Sequence, residues 1–353
     1  MSRRQPMKPE PVDPDDADDA DDADDADETT PSEVVTASPS PGPGPASTPK
    51  TQRVESSLAW RLGGVLRTVR PHQWVKNVFV LAPVVFAREI FAPLLLMQAA
   101  AAFGIFCLLA GAVYTINDLA DVEADRMHPA KRHRPIASGR VPVPWARVLV
   151  VALVLLFLGG SAFLGIPFLS VAFGYFVLNV AYSFRLKHVA YVDVACIAAG
   201  FVLRVLAGGF ATGIEISTYL LLCTALLALF LGFGKRRHEL TAARNQAAAQ
   251  RVALESYSKR GIDLALFVTG FATVATYLVY TLDPRTRAFF RTDWLWPSAA
   301  FVVLGVTRFL FIVRHRPKAE SPTQEMLKDG PFVMIVLFWV ILVMLVVYRL
   351  RPS

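Results

Sequence analysis

Between residues 73 and 349 the chain consists largely of apolar runs, each close to the length of a bilayer crossing and each ended by a polar break. A spanning helix needs about 20 mostly apolar residues, with a range of roughly 17–25. Nine runs are candidates, at 73–88, 91–117, 144–163, 165–183, 191–212, 216–234, 262–282, 294–313 and 331–349, the first being short for a crossing. Backbone polar groups in hydrocarbon have no water to bond, so a lone run of this kind must close its hydrogen bonds internally, as a helix. The expectation is an all-α integral membrane protein with nine transmembrane helices. Composition agrees: 54% of residues are apolar and 18% charged, whereas soluble domains average about 45–50% and about 25%. An ordinary soluble enzyme is excluded.

Charge divides the chain in two. Residues 1–57 hold 14 of the 29 acidic residues but only 5 of the 36 Lys and Arg, which leaves residues 58–353 strongly basic. The run DDADDADDADDADE at 15–28, followed by a Ser/Pro/Gly/Thr stretch, has little to bury and repels itself, so 1–57 reads as a disordered acidic tail. Over 58–72, Leu58, Leu62, Val65, Leu66 and Val69 share one helical face while Arg67 and Arg70 lie off it. That pattern predicts a short helix lying on an anionic membrane surface, ahead of a multi-span domain over 73–353. No apolar leader with a cleavage site precedes it. Lys and Arg concentrate in the connections after runs two, four, six and eight. The positive-inside rule then places the N-terminus and these loops in the cytoplasm, in the inner (plasma) membrane. The three cysteines, Cys107, Cys196 and Cys223, sit inside apolar runs and read as packing residues.

The chemistry concentrates after the second run, in YTINDLADVEADRMHPAKRHRPIASGRVP (114–141). On a helix Asn117, Asp118, Asp121 and Asp125 fall on one face near the cytoplasmic surface. Like charges so close call for a cation, and hard oxygen ligands suit Mg²⁺, which takes its remaining ligands from water and substrate phosphates. Arg126, Lys131, Arg132 and Arg134 follow at once. Carboxylates that hold Mg²⁺ beside basic residues are what a departing diphosphate needs, since both stabilise charge as it develops.

The pattern N-D-x-x-D-x-x-x-D after the second span of a nine-span body resembles the UbiA superfamily of intramembrane prenyltransferases. Within it the chain is most similar to the branch that moves a phosphoribosyl group onto a polyprenyl phosphate. The segments that carry the resemblance are RPHQWVKN (70–77), NDLADVEADRMHPAKRHRPIASG (117–139), YSFRLKHVAYVD (182–193), the stretch from Gly200 to Gly209, GKRRHE (234–239) and SPTQEMLKD (321–329). The resemblance implies helices around a central cavity that opens to the cytoplasm. It also implies Asp118, Asp121 and Asp125 as catalytic, with Asn117 joining them around Mg²⁺.

Other loops supply cations. Lys76 lies at the inner membrane edge, and Tyr182, Arg185 and Lys187 form the connection after the fourth run. Lys offers a phosphate a point charge and Arg a bidentate fork. Asp193 and Arg204 lie eleven residues apart, about three helical turns, which puts Arg204 roughly 16 Å deeper on nearly the same face. An intramembrane Arg faces a polar cavity or a partner by default; here the choice is between a cavity wall and backbone carbonyls at a Gly208–Gly209 break. Prenyltransferases of the superfamily generally carry a second aspartate cluster after span six. GFGKRRHELTAARNQ (232–246) has none and offers Lys235, Arg236 and Arg237 instead. One carboxylate pole and one cationic pole suit two anionic substrates, a magnesium diphosphate and a bare phosphate.

The implied reaction is Mg²⁺-dependent transfer of phosphoribosyl from 5-phosphoribosyl 1-diphosphate to a polyprenyl phosphate. Lys76, Arg126, Lys131, Arg134, Tyr182, Lys187, Asp193, Arg204, Lys235 and Arg236 are the candidate substrate ligands. One alternative is a prenyltransferase that acts on an aromatic or quinone-precursor acceptor, against which the missing second cluster counts. Another is a secondary transporter of anionic solutes, against which the absence of an internal repeat counts. No nucleic-acid partner is expected, and the sequence leaves the oligomeric state open.

Overall fold

The computed structural model describes residues 58–129, 131–243, 257–315, 325–326 and 328–349. The expected acidic tail lies outside them. Every regular element among the described residues is helical. In chain order these are α1 (Leu58–Thr68), a 3₁₀ segment (Pro71–Leu81), α2 (Ala82–Phe86), α3 (Pro93–Ala120), α4 (Val122–Met127), α5 (Val143–Phe163), α6 (Ile166–Phe184), α7 (Val192–Thr212), α8 (Thr218–Ala243), α9 (Lys259–Leu282), α10 (Pro284–Phe290), α11 (Ser298–His315) and α12 (Gly330–Met344). The last continues as one π turn, Leu345–Arg349. Short 3₁₀ turns at Lys131–His133 and Leu186–His188 shape two of the connections.

Eight helices (α3, α5, α6, α7, α8, α9, α11 and α12) are long and apolar enough to cross a membrane. The protein is a multi-pass membrane protein. Apolar side chains on the outside, such as Phe163 on α5 and Phe271 on α9, face where lipid would be. Two cores share α7. Phe106, Phe157 and Phe168 fill the space among α3, α5 and α6, with Val80, Ala207 and Ala211 packed against them. Phe230, Leu266 and Phe309 join α8, α9 and α11, with Val194 of α7 beside them.

The first of the nine expected spans departs from expectation. Residues 73–88 are not one α-helix: Pro71–Leu81 is an eleven-residue 3₁₀ helix, followed by five α-helical residues. The cause is periodicity. Asn77, Val80 and Pro83 are buried at intervals of three, while Val75, Lys76 and Val78 are exposed, and side chains at i and i+3 eclipse only in a 3₁₀ helix. Its buried edge lies on α7. Phe79 packs on Phe201 with ring centroids 4.9 Å apart, and the Val80 carbonyl approaches Gly208 so closely that a Cβ there would stand 1.9 Å from the oxygen. α7 runs unbroken through Gly208 and Gly209 to Thr212, so the expected break is absent; the glycines make room for a neighbour's backbone. Gly208→Ala should therefore destabilise the fold by about 1–3 kcal/mol or more. Thermal unfolding in detergent checks this, with Gly104→Ala, where a Cβ meets open space, as the control.

Candidate functional site

The acidic segment and the basic loops meet at one end of the bundle. α3 stops at Ala120, and Asp121 is a junction residue from which α4 starts afresh. The four oxygen-bearing residues therefore do not share one continuous helical face. Asp118 closes the last turn of α3, Asp121 sits on the corner, and Asp125 belongs to α4. Among the described residues no three acidic, His or Cys groups converge as a ready-made metal cage. Cations stand among the carboxylates instead: Arg134 bridges Asp118 and Asp125, and Lys187 lies beside Asp121.

Asp118 is 2% exposed and its Oδ1 accepts from Arg70 Nη2 at 2.9 Å and Arg134 Nη1 at 3.5 Å. The same Arg134 nitrogen donates to Asp125 Oδ2 at 2.9 Å, and Asp125 is buried too. Asp121 is more open and its Oδ2 lies 3.7 Å from Lys187 Nζ. A continuous band of alternating charge thus runs from Arg70 through Asp118, Arg134 and Asp125, with the Asp121–Lys187 pair beside it. Buried carboxylates need such compensation, because an unpaired charge out of water costs several kcal/mol.

Local sequence explains how the cations arrive. Arg70 adopts left-handed backbone angles (φ 51°, ψ 65°) immediately before Pro71, a strained conformation for a non-glycine residue. Its guanidinium stacks 5.1 Å from the Tyr114 ring centroid and reaches Asp118. Arg134 sits in a loop pinned by buried Ile136, with Ser138 N donating to Arg134 O at 2.9 Å and Gly139 turning the chain at φ 79°. Arg126 folds the same loop by donating to Ala137 O at 3.3 Å and pairing with Glu123. Lys131 opens the 3₁₀ turn there, and its N–H donates to His128 Nδ1 at 3.3 Å.

A second charged cluster joins α7, α8 and the start of α9. Asp193 is 1% exposed, and Arg236 Nε lies 2.7 Å from its Oδ2. Arg236 also pairs with Glu239 one turn further on. Tyr257 donates to Asp193 Oδ1 and accepts the Tyr191 N–H at 2.7 Å. Tyr191 is itself strained at φ 65°, and its ring packs on Tyr257 at 4.7 Å. Burial, and then the bond to the Asp193 carboxylate, push the Tyr257 phenol above its usual range, so it stays a donor at neutral pH. Asp193 and Arg236, expected as substrate ligands, thus have each other as partners, because both are buried where only a neutralised pair is stable. Arg237 pairs with Asp263 at 3.0 Å. Lys235 is half-buried, Lys76 is exposed, and Tyr182 lies near Arg236.

Arg204 does not face Asp193. It lies buried with Asn77, Tyr175 and Gly200 as partners. Arg70, Tyr257 and Asn77 are the participants that spacing missed. The first had a signal, an arginine before a proline at the start of an apolar run, but its contact with Asp118 spans 48 residues.

An all-helical membrane bundle whose polar end alternates carboxylates with guanidinium and ammonium groups defines a membrane protein equipped to hold anionic groups. Comparison with known proteins agrees. The UbiA prenyltransferase family model matches residues 78–328. The decaprenyl-phosphate phosphoribosyltransferase of Corynebacterium glutamicum is 36% identical over 289 residues, covering 81% of this chain and 87% of that protein. Its namesake from Mycobacterium tuberculosis is 36% identical over 284 residues, 79% and 92% of the two chains. Among solved structures, a UbiA homolog from Archaeoglobus fulgidus bound to GPP and Mg²⁺ superposes with a TM-score of 0.59 at 20% identity, covering 80% of this chain and 99% of that one. The chain belongs to the UbiA prenyltransferase family.

Proposed function

We propose that the protein transfers the 5-phosphoribosyl group of 5-phosphoribosyl 1-diphosphate to a polyprenyl phosphate such as decaprenyl phosphate, releasing diphosphate. The observation that carries this reading is the unequal pair of poles. Three carboxylates lie on one side of the site, while the C-terminal turns of α8 carry Lys235, Arg236 and Arg237 where a second carboxylate set would serve a prenyl diphosphate, Arg236 and Arg237 being paired with Asp193 and Asp263 and Lys235 left to meet a phosphate. The names of the corynebacterial and mycobacterial relatives support it.

The donor set fits Mg²⁺ in chemistry. Asp118, Asp121, Asp125 and Asn117 offer hard oxygens, and among the described residues the ion pairs of Asp121 and Asp125 each use Oδ2. When bound there, Mg²⁺ would neutralise the charge that grows on the leaving diphosphate. Arg134, Arg70 and Lys131 bind the donor's phosphates from the loop and 3₁₀ side. Lys187 and Lys235 receive the acceptor phosphate, and Tyr182 orients it with a hydroxyl hydrogen bond. A phosphate oxygen of the lipid attacks the anomeric carbon while that carbon's bond to the diphosphate oxygen breaks. The nucleophile is ionised at neutral pH, so no side chain need take a proton, and catalysis rests on positioning and charge stabilisation.

In the bilayer, the 3₁₀ segment and α2 form the ninth crossing. Eleven 3₁₀ residues and five α residues rise about 30 Å in all, the hydrocarbon thickness. One end reaches Asp118 through Arg70, and the other meets Tyr348, which donates to Val85 O at 2.7 Å. The site faces the cytoplasm of a plasma membrane, in a central cavity. α1 lies in the same interface, with Leu58, Leu62 and Leu66 exposed to lipid one turn apart.

The test supplies protein in detergent or vesicles with labelled 5-phosphoribosyl 1-diphosphate, a polyprenyl phosphate and Mg²⁺. Label should enter the lipid phase, stop with EDTA and resume when Mg²⁺ is restored. Turnover of a prenyl diphosphate with an aromatic acceptor, and none of the phosphoribosyl donor, overturns the substrate assignment while leaving the fold intact.

A further inference from the structure

The 3₁₀ segment is about three times longer than such helices usually run, because their hydrogen bonds are poorer than those of an α-helix. Something outside the segment must hold it. Asn77, in its middle, is 1% exposed, and its Oδ1 accepts from Arg204 Nε at 2.9 Å. Arg204 also donates to Tyr175 Oη at 2.5 Å and Gly200 O at 3.1 Å, and its guanidinium stacks 4.7 Å from the Tyr175 ring centroid. Three elements thus meet at one cation: the 3₁₀ segment, α6 and α7. Arg204 is 7% exposed and makes no ion pair among the described residues; its acceptors are all neutral. A charge kept at membrane depth on those terms is costly and calls for a function. On α7 two residues four apart lie under the segment, Arg204 beneath Asn77 and Gly208 beneath Val80.

We infer that Arg204 is a positioning residue that acts through Asn77: it holds the segment in its stretched 3₁₀ form and so sets Arg70 against Asp118. The inference rests on the proposed role of the Arg70–Asp118 contact. From Asn77 back to Pro71 is six residues. They rise about 12 Å as a 3₁₀ helix and about 9 Å as an α-helix. The relative rotation differs by roughly 20° per residue, or roughly 120° over the six. A segment released at Asn77 and relaxing to the commoner helix would draw Arg70 about 3 Å back and turn it away from Asp118. Gly208 fixes the register at Val80 from the other side. Lys76, next to Asn77 and exposed, moves with the same segment.

Two readouts test this in the full-length protein. In the transfer assay, Asn77→Ala and Arg204→Met should each lower kcat by about 10–100-fold, as small misplacements at a site do, with KM for the polyprenyl phosphate within about twofold. In an Arg70→Gln background the same changes should add almost nothing, because they act through Arg70. Asn77→Asp, which keeps the acceptor and gives Arg204 a counter-charge, should retain most of the activity. Separately, amide hydrogen exchange over 71–81 should accelerate in Arg204→Met and Asn77→Ala and stay slow in Asn77→Asp. Additive losses, unchanged exchange, or a raised lipid KM at constant kcat each overturn the inference, the last by making Arg204 a substrate ligand. If Arg204→Met does not fold, Asn77→Ala, which removes one acceptor, decides alone. A protein that does not use phosphoribosyl diphosphate at all refutes the substrate assignment, and the exchange measurement still decides whether Arg204 holds the 3₁₀ segment.

Discussion

Asp118→Asn is expected to lower the rate of phosphoribosyl transfer by about 10²–10³-fold or more, the size of effect seen when a preorganised electrostatic group is removed from a site. Three roles converge on this carboxylate. It is a candidate metal ligand, it anchors Arg70 at 2.9 Å, and it shares Arg134 with Asp125. The amide keeps the shape and one acceptor but removes the charge. Arg134 retains Asp125 at 2.9 Å, so the loop around Ile136 keeps its anchor, while Arg70 loses its counter-charge and the thermal midpoint in detergent should fall by about 2–4 °C. Asp121→Asn is expected to cost a comparable factor in rate with even less effect on stability, since Asp121 is the more exposed and its contact with Lys187 is long at 3.7 Å. Initial rates with saturating Mg²⁺, beside unfolding curves for the same preparations, give the result. A variant that keeps more than a tenth of the activity would remove Asp118 from the chemistry.

The eight long helices were legible because each coincides with an apolar run that has no alternative in lipid. α5, expected at 144–163 and found at Val143–Phe163, shows how closely the two agree. The first run misled for a definite reason. Length and hydropathy do not distinguish a 3.6-residue period from a 3.0-residue one, and the only discriminating mark was Asn77, Val80 and Pro83 at strict threes, with Pro71 at the start. At the site, residue types were readable but pairings were not. The acidic segment stood out because four oxygen ligands close to a membrane span are unusual, yet nothing local says that Asp121 ends one helix and starts the next. Arg70 with Asp118 and Asp193 with Tyr257 are contacts across 48 and 64 residues; they are products of the packed fold and have no local signature. Asp193 and Arg204 illustrate the converse. Their spacing suggested a shared polar wall, but each found a nearer partner on a different element.

The Asp193–Arg236 pair distinguishes a substrate ligand from a structural one, because the two roles predict opposite readouts. Both side chains are about 95% or more buried, Nε lies 2.7 Å from Oδ2, and Tyr257 fills the other carboxylate oxygen. Removing one member of such a pair strands the other's charge, at a cost of about 3–5 kcal/mol. Asp193→Ala leaves Arg236 with Glu239 alone, which places the expected loss at the lower end of that range. For a chain of this size that corresponds to roughly 4–5 °C in the thermal midpoint. The double change Asp193→Leu with Arg236→Met removes both charges at once and should recover much of the loss, since apolar replacements of a buried pair are often neutral. Protein that remains folded should bind both substrates with KM within about twofold of the parent, since Lys187 and Lys235 are untouched and the buried pair presents no charge outward. A raised KM with an unchanged midpoint would instead return Asp193 and Arg236 to the substrate, and would mean that α7 and α8 part to admit a phosphate between them. The pair's burial argues for the first result: a phosphate that enters there would have to displace a carboxylate already ion-paired with Arg236 and hydrogen-bonded by Tyr257 and by the Val194 N–H at 2.8 Å.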